Sequence, residues 1–154
     1  MQTGQEREKE RVFQAPTPFM AVFYGLLLVW TVATVPLIWQ KFQRGGFQGD
    51  WLYAAMIGFF YLYTWFWSLG LFYRISLDAE GRIRMKSLRR TLEISVKQVR
   101  TIEGSRFSGG GGFVRMKLPK ESAYLFGNRG GDGNLEEILR EIARRNPLVR
   151  TARI

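Results

Sequence analysis

Two long stretches without a charged residue constrain this chain more than any other feature. Residues 19–39 and 51–73 number 21 and 23, and neither stretch contains Lys, Arg, Asp or Glu. A helix needs about 20 apolar residues to cross the hydrocarbon core of a bilayer. Because lipid offers no partner to backbone amides and carbonyls, a spanning segment of this length must be helical. The sequence therefore predicts a membrane hairpin of two transmembrane helices.

The residues that follow the hairpin are long enough for one small domain. Of the 23 basic residues 18 lie at 74–154, with 9 of the 13 acidic ones, so this part has a net charge of +9. Such a charge attracts nucleic acid, anionic lipid or an acidic protein. Because the hairpin holds the domain at a membrane, we expect the last two and no nucleic acid. We predict four parts: a polar cytoplasmic arm (1–18), the hairpin (19–73), a cytoplasmic domain (74–146) and a basic C-terminal tail (147–154).

Basic residues are distributed unequally between the two ends of the hairpin. The turn at 40–50 contains only Lys41 and Arg44, whereas the arm has three basic residues and the segment 74–90 has six. The positive-inside rule puts the more basic side in the cytoplasm, so we expect both termini there and the turn outside. The aromatic belts are predicted at Trp39, Trp51 and Tyr53 outside and at Tyr73 inside.

Small residues at matched depth predict close packing of the two spans. In an antiparallel pair Ala21 lies near the depth of Gly70, and Ala33 lies near the depth of Gly58. Small side chains let two helix backbones approach each other in a membrane. We therefore expect a tight hairpin at these two levels.

The second span carries an unusual run of aromatic residues, which point all round the helix. One interpretation is that they face lipid and the membrane interface. The other is contact with a larger integral-membrane partner or its bound lipids, quinones or pigments, because Tyr and Trp tips need hydrogen-bond partners in hydrocarbon. The candidate partner contacts are Phe59, Phe60, Tyr63, Trp65 and Trp67.

Outside the hairpin, the sequence predicts one short helix, then a sheet, then a second helix. Residues 1–14 are expected to form a polar helix, because Thr3 and Glu6 fit a capping box. Alternation of apolar and charged residues predicts strands at 73–77, 82–86, 91–96, 99–103, 113–118 and 122–126. An amphipathic helix begins at its cap Asn134 and stops at Asn146 before a proline. Strands closed by a terminal helix predict a small α+β domain.

Composition excludes several kinds of chemistry. The chain has no Cys and no His, which excludes disulfides, zinc–thiolate and iron–sulfur sites, Ser-His-Asp and Cys-His catalysis, and His-ligated haem or chlorophyll. The glycine-rich segment 104–112 lacks the Gly-Lys-Ser/Thr ending of a phosphate loop. Glu136, Glu137 and Glu141 are interpreted as a solvated helix face. We expect no catalytic residue, no metal, no cofactor and no enzyme activity.

The second half of the chain resembles the pleckstrin-homology-like (PH-like) domains of small bacterial membrane proteins. The similarity rests on Tyr73-Arg74-Ile75 after a membrane hairpin, the turn 78–81, a basic second strand, the segment 89–94 and the spacing of Val99 and Ile102. The resemblance implies a curved antiparallel sheet capped by a C-terminal helix, without catalytic residues and with a scaffold or binding role. With the charge distribution, it predicts a multi-pass protein of the bacterial inner membrane.

Six cations close to the membrane are candidate contacts for anionic lipid or a partner: Arg74, Arg82, Arg84, Lys86, Arg89 and Arg90. The first four resemble the cluster with which some eukaryotic pleckstrin-homology domains hold phosphoinositides. The loop between the first two strands is short and acidic here, with Asp78 and Glu80, so we expect non-specific attraction to anionic lipid. The positive-inside distribution alone is the alternative explanation for these charges.

Two functions remain open on the sequence. The first is a non-catalytic accessory or scaffold subunit of a larger integral-membrane complex, for example an energy-transducing photosynthetic or respiratory one, in which the hairpin docks and the domain braces the cytoplasmic face. The second is a free-standing, membrane-anchored PH-like module that regulates by binding anionic lipid or a protein partner. Purification in a mild detergent separates the two, because only the first predicts stable association with other chains.

Overall fold

The computed structural model describes residues 10–45, 51–104, 112–127 and 135–152. The chain separates into two compact units, one formed by Thr17–Leu69 and the other by Met1–Pro16 with Gly70–Ile154. Two long apolar helices, a short third helix and an eight-stranded mixed sheet make up the described residues, so the predicted helix-and-sheet class is confirmed. Three features of the sequence analysis lie outside the described residues: the capping box of Thr3 and Glu6, the helix cap Asn134 and most of the glycine-rich segment 104–112.

The helical unit consists of α1, Thr17–Gln43, and α2, Trp51–Leu69. By length and composition each of them is able to cross a membrane. α1 starts where Pro18 fits the first helical turn, because an amide at that position has no partner within the helix. Pro36 lies inside α1, which continues beyond it.

The second apolar stretch stops being helical earlier than the sequence predicts. α2 ends at Leu69, and β2, Phe72–Leu77, begins soon afterwards. Phe72 is only 1% exposed, so it belongs to the core of the sheet unit. The predicted span 51–73 is therefore wrong at its C-terminal end, and Tyr73 lies on a strand. Membrane helices and buried strands both consist of uninterrupted apolar residues, so composition hides the boundary between them.

The first half of the sheet is antiparallel and has the order β1–β2–β3–β4, with β1 at Arg11–Gln14, β3 at Arg82–Ser87 and β4 at Thr91–Ser95. The predicted helix at 1–14 is wrong for the described part of the arm, which pairs with β2. Phe13 lies opposite Ile75 and is 2% exposed. Burial of Phe13 and pairing along β2 outweigh the weak surface charge pairs that favour a helix.

The second half contains β5, β6, β7 and β8, at Thr101–Gly104, Phe113–Lys117, Ser122–Phe126 and Arg150–Ala152. β5, β6 and β7 are antiparallel neighbours, but β8 runs parallel to β5. The two halves meet where Phe72 of β2 pairs in parallel with Leu125 of β7. The predicted all-antiparallel sheet is therefore wrong at these two contacts. The predicted tail at 147–154 contributes a strand instead of only following the domain.

The third helix, α3, spans Leu135–Arg145 and packs against β1 and a 3₁₀ turn at Val96–Gln98. Its predicted apolar stripe is confirmed, since Leu135, Ile138, Leu139 and Ile142 are all buried. Just beyond α3, the buried Asn146 donates from Nδ2 to the carbonyl oxygens of Val96 and Val99, at 2.9 and 3.0 Å. The 3₁₀ turn lies where the sequence predicts the end of one strand and the start of another.

Alternation along β3 separates the core from a charged face. Ile83 and Met85 are fully buried, whereas Arg82, Arg84 and Lys86 are exposed. This predicted pattern is confirmed. The preceding turn closes through Gly81, whose φ of 77° lies in the left-handed region that favours glycine.

Candidate functional site

Side-chain hydrogen bonds join the two apolar helices: Tyr24 Oη to the Ser68 carbonyl oxygen at 2.8 Å, Trp65 Nε1 to Thr31 Oγ1 at 3.0 Å, and Thr34 to Tyr61 through their hydroxyls. These residues are spaced by four and three along α2 and by seven and three along α1, so on each helix they share one face. The hairpin thus satisfies polar groups that hydrocarbon would leave without partners.

The predicted close approach of small residues does not occur. Gly58 and Ala33 are both exposed, and a Cβ added to Gly58 would meet nothing within 4 Å. Gly70 lies just beyond the end of α2, and Ala21 is exposed. Hydroxyl and aromatic side chains form the contact between the helices, and Ala33 and Gly58 are exposed.

The candidate aromatic contacts fall into two groups. Trp65 donates its indole N–H within the hairpin, so that hydrogen bond needs no outside partner. Phe59, Phe60, Tyr63 and Trp67 are 42–68% exposed on the outer surface of the hairpin. The rings of Phe59 and Tyr63 stack on each other at 6.0 Å between centroids. Contact of these outer rings with a larger protein stays a prediction.

On the sheet, three of the six candidate cations lie together on the face opposite the core. Arg74 of β2 is directly opposite Lys86 of β3, and Arg84 lies two residues before Lys86. Alternate residues of a strand point to the same face, so the three charges form one patch. Neither Arg74 nor Lys86 forms an ion pair within the described part of the chain. Like charges opposite each other on neighbouring strands are destabilising.

The patch lines an open groove with a volume of about 590 Å³. The residues around it come from or adjoin β1 to β4 and are Glu10, Arg74, Ser76, Arg84, Lys86, Thr91 and Glu93. Glu93 accepts Arg84 Nε at 2.6 Å, with both side chains mostly exposed. An exposed pair of this kind contributes little stability. The groove therefore combines two cations that form no ion pair in the described residues, Arg74 and Lys86, with hydroxyls and carboxylates, a set able to bind an anionic ligand that also offers donors. We call it the basic groove.

Arg82 lies outside the basic groove. It pairs with Glu80, and its guanidinium is 3.9 Å from the Asp78 carboxylate, so both acids of the β2–β3 turn compensate it. The two acids of this turn pair with Arg82, whereas Arg84 pairs with Glu93 further along the same face.

Arg90 is also occupied within the fold. Its guanidinium is 2.5 Å from the Glu121 carboxylate and lies over the Phe72 ring, 5.5 Å from the centroid. Arg89 is exposed in the turn between β3 and β4. The structure therefore brings Arg74, Arg84 and Lys86 together. Arg82, Arg84 and Arg90 each form an internal ion pair.

A second, smaller cavity of about 210 Å³ lies between α3 and the β2–β3 turn. Glu141 accepts Arg145 Nε at 2.7 Å and Arg144 at 2.9 Å, and Arg145 also donates to the Ala79 carbonyl oxygen at 2.8 Å. The hydrogen bonds from Arg145 and then Arg144 lower the pKa of Glu141 below its ordinary value. The interpretation of Glu141 as a solvated residue is wrong, because it is 7% exposed.

The chemistry of this second cavity is structural. Arg11 of β1 reaches the Glu137 carboxylate of α3 at 2.7 Å, so α3 is tied both to the first strand and to a turn of the sheet. The helical period could have predicted that Glu141 is buried, because it adjoins Ile142 and lies three residues after Ile138 on the buried side of α3. Its arginine partners four and three residues on are spaced for helix ion pairs.

Fold and site together define a helix-and-sheet protein with two apolar helices of membrane-spanning length and a basic groove on its sheet. Within the described residues, no group of three or more His, Cys, Asp or Glu side chains could hold a metal ion. The chain matches no protein-family model, no curated protein and no solved structure.

Proposed function

We propose that this chain is a non-catalytic accessory subunit of a larger integral-membrane complex. In this proposal the hairpin anchors the protein in the bilayer, and the basic groove binds an acidic segment of a partner subunit. A photosynthetic or respiratory energy-transducing assembly is one example of such a host.

The proposal rests on the strand register that places Arg74 of β2 directly opposite Lys86 of β3. Two cations at directly opposed positions repel each other, and neither has a counter-ion in the described residues. A fold optimised only for stability would place an acidic or neutral residue at one of these positions. An external carboxylate in the basic groove would remove the repulsion and form charge-assisted hydrogen bonds with both cations.

The mixed composition of the basic groove favours a polypeptide over a lipid surface. Glu10 and Glu93 lie beside the cations, and Ser76 and Thr91 add hydroxyls. The phosphate oxygens of an anionic lipid only accept hydrogen bonds, whereas a peptide offers N–H donors to the two carboxylates as well as acidic side chains to the cations. Outward rings such as Phe59 would meet lipid or the same partner within the membrane.

We further propose the bacterial inner membrane as location, with the sheet unit and both termini in the cytoplasm. The low number of basic residues at 40–50 supports this orientation. A PH-like architecture has support from the two four-stranded halves of the sheet and from α3, which follows β7. The parallel strand β8 and the parallel contact of β2 with β7 depart from the expected pattern.

The second candidate, a free-standing regulator that binds anionic lipid, has one observation in its favour. Arg74 lies five residues beyond Leu69, the last residue of α2. Five extended residues span at most about 17 Å, so chain length keeps Arg74 near the membrane surface if α2 crosses it. Anionic lipid would then be within reach of the basic groove.

Affinity purification in a mild detergent tests the proposal, with the captured chains quantified by mass spectrometry. Arg74→Glu combined with Lys86→Glu should lower recovery of the partner subunit at least about tenfold, as expected for loss of two charge-assisted contacts. Arg140→Glu with Arg150→Glu is the control, because it makes the same change in net charge on exposed residues away from the groove. Equal partner recovery in both double variants would contradict the groove as the contact. A wild-type protein that purifies alone and binds anionic liposomes through the same two residues would establish the second candidate instead.

A further inference from the structure

We infer that the turn between β3 and β4 inserts into the surface of an anionic bilayer and seats the sheet unit on it. The turn consists of residues 87–90, with Leu88 and Arg89 at its tip, and we call it the Leu88 turn. This inference rests on the proposed anchoring of the hairpin in a membrane, and it concerns residues outside the basic groove's predicted protein contact.

Leu88 is unusual among the apolar residues of the sheet unit. It is 55% exposed, and the other large apolar side chain exposed in the described part of this unit is Leu148, at 87%. A single exposed leucine is common on soluble proteins and does not by itself indicate a binding site. We base the inference on the position of Leu88 in the fold, its rigid backbone and its charged neighbours.

The strand register puts the Leu88 turn at the end of the sheet where both apolar helices are attached. Ser87 lies opposite Phe72, which follows Leu69 at the end of α2 by three residues. On the other side of β2, Gln14 lies opposite Arg74 and precedes the first residue of α1 by three residues. Three residues of chain and one strand spacing amount to about 15 Å, so chain length alone keeps Ser87 within about that distance of Leu69.

Hydrogen bonds fix the shape of the turn. The Ser87 amide donates to the Arg90 carbonyl oxygen at 2.8 Å, and the Arg90 amide donates to Ser87 Oγ at 3.0 Å. The Ser87 hydroxyl donates to the same carbonyl oxygen at 2.9 Å. With Arg90 also held by Glu121, the exposed tip is presented on a rigid base. A preorganised tip loses little conformational entropy when it inserts.

Exposed cations lie near this leucine. Arg89 follows it directly in sequence, and the ion pair of Arg90 with Glu121 connects the Leu88 turn to the β6–β7 turn, which contains the exposed Lys120. Anionic headgroups attract such cations, and an apolar side chain between them reaches the acyl boundary. A protein partner is a poorer fit, because a stable protein interface buries about 800 Å² on each side and a two-residue tip offers far less.

A unique cysteine at each test position measures insertion directly, because the chain has no other Cys. Leu88→Cys, Leu148→Cys and Phe59→Cys are prepared in the full chain, labelled with an environment-sensitive fluorophore and reconstituted into vesicles of mixed phosphatidylglycerol and phosphatidylcholine that carry lipid-bound quenchers. Leu148 is the matched control, because it lies near the opposite end of β2 and β3. Its near neighbour Asn146 donates to the Val96 carbonyl oxygen, and the Val96 amide donates to the Gly81 carbonyl oxygen in the turn at that end.

We expect quenching of the labels at positions 88 and 59 at least about threefold stronger than at 148. Quenching at 59 together with equal signals at 88 and 148 would overturn the inference and leave the membrane anchoring intact. Absence of quenching at 59 would overturn the anchoring itself, and the inference with it. In pure phosphatidylcholine the quenching at 88 should fall while that at 59 stays, and an unchanged signal at 88 would contradict the role of the cations.

Discussion

The backbone amide of Ala15 donates a hydrogen bond of 2.7 Å to the carbonyl oxygen of Tyr73. This contact extends the pairing of β1 with β2 almost to Thr17 and Leu69, the points where the two apolar helices are attached. The sheet unit is therefore attached through two paired strands, with no long Gly/Ser linker on either side.

The first prediction concerns β1. Phe13→Ala should lower the free energy of unfolding by about 3–5 kcal/mol, because it empties a fully packed aromatic position opposite Ile75. Val12→Ala, on the other face of the same strand, should cost less than about 1 kcal/mol. Thermal and denaturant unfolding of the full chain in detergent measures both. Equal small effects would mean that the arm is not part of the sheet.

The second prediction concerns the hydrogen bond between the apolar helices. A double-mutant cycle of Thr31→Val and Trp65→Phe should give a coupling energy of about 0.6 kcal/mol, typical of side-chain hydrogen bonds in membrane proteins. Unfolding equilibria in mixed detergent provide the energies. The same cycle with Trp51→Phe in place of Trp65→Phe should give no coupling, because Trp51 is 75% exposed at the far end of α2. Coupling in both cycles would argue for a general packing effect.

The third prediction separates stability from binding in the basic groove. Lys86→Glu replaces a repulsive pair with an attractive one opposite Arg74, so the sheet unit should become more stable by about 0.2–1 kcal/mol. The same variant should capture less of the partner subunit. Unfolding curves and quantitative affinity purification measure the two effects. A variant that is less stable than wild type would contradict the assigned register or the absence of a counter-ion.

The fourth prediction is a pH dependence. The arginine hydrogen bonds that lower the pKa of Glu141 stabilise the folded state when the carboxylate is charged. This contribution is complete above the unfolded-state pKa, near 4.5, and is lost as the pH falls through the lower folded-state pKa. Glu141→Gln should therefore be less stable than wild type at pH 7, and the difference should shrink below about pH 4.

The matched control for this pH dependence is Glu136→Gln, because Glu136 lies on the same helix with its side chain 50% exposed. It should unfold like wild type across the pH series. A difference between Glu141→Gln and wild type that stays constant from pH 7 to pH 3 would show that packing, and not the charge of Glu141, sets its contribution.

The sequence pattern predicts those helices and strands that depend only on residues close together in the chain. The alternation at Ile83 and Met85 identifies β3, and the apolar stripe through Ile138 and Ile142 identifies α3 with its end before Asn146. Each of these elements satisfies its own period and its own end signals, so no distant residue is needed to recognise it.

Contacts with distant residues decide the parts that the sequence does not predict. Phe13 lies on a strand because β2, some 60 residues later, offers an edge with which it pairs. Phe72 belongs to β2 and not to α2, because it pairs with Leu125 of β7. Among the candidate site residues, the strand register places Arg74 opposite Lys86. Arg90 instead lies over Phe72 and pairs with Glu121, a difference that the sequence pattern does not show. Glu141 and Trp65 likewise have functions set by partners that the pattern does not reveal.

Native mass spectrometry of the protein extracted from its own membrane in a mild detergent tests whether this chain is an accessory subunit. We expect an assembly that contains this 17.9 kDa chain together with at least one different membrane protein, and loss of that protein in the variant with Arg74→Glu and Lys86→Glu. A mass of 17.9 kDa, or a whole multiple of it, as the sole species would contradict an accessory subunit.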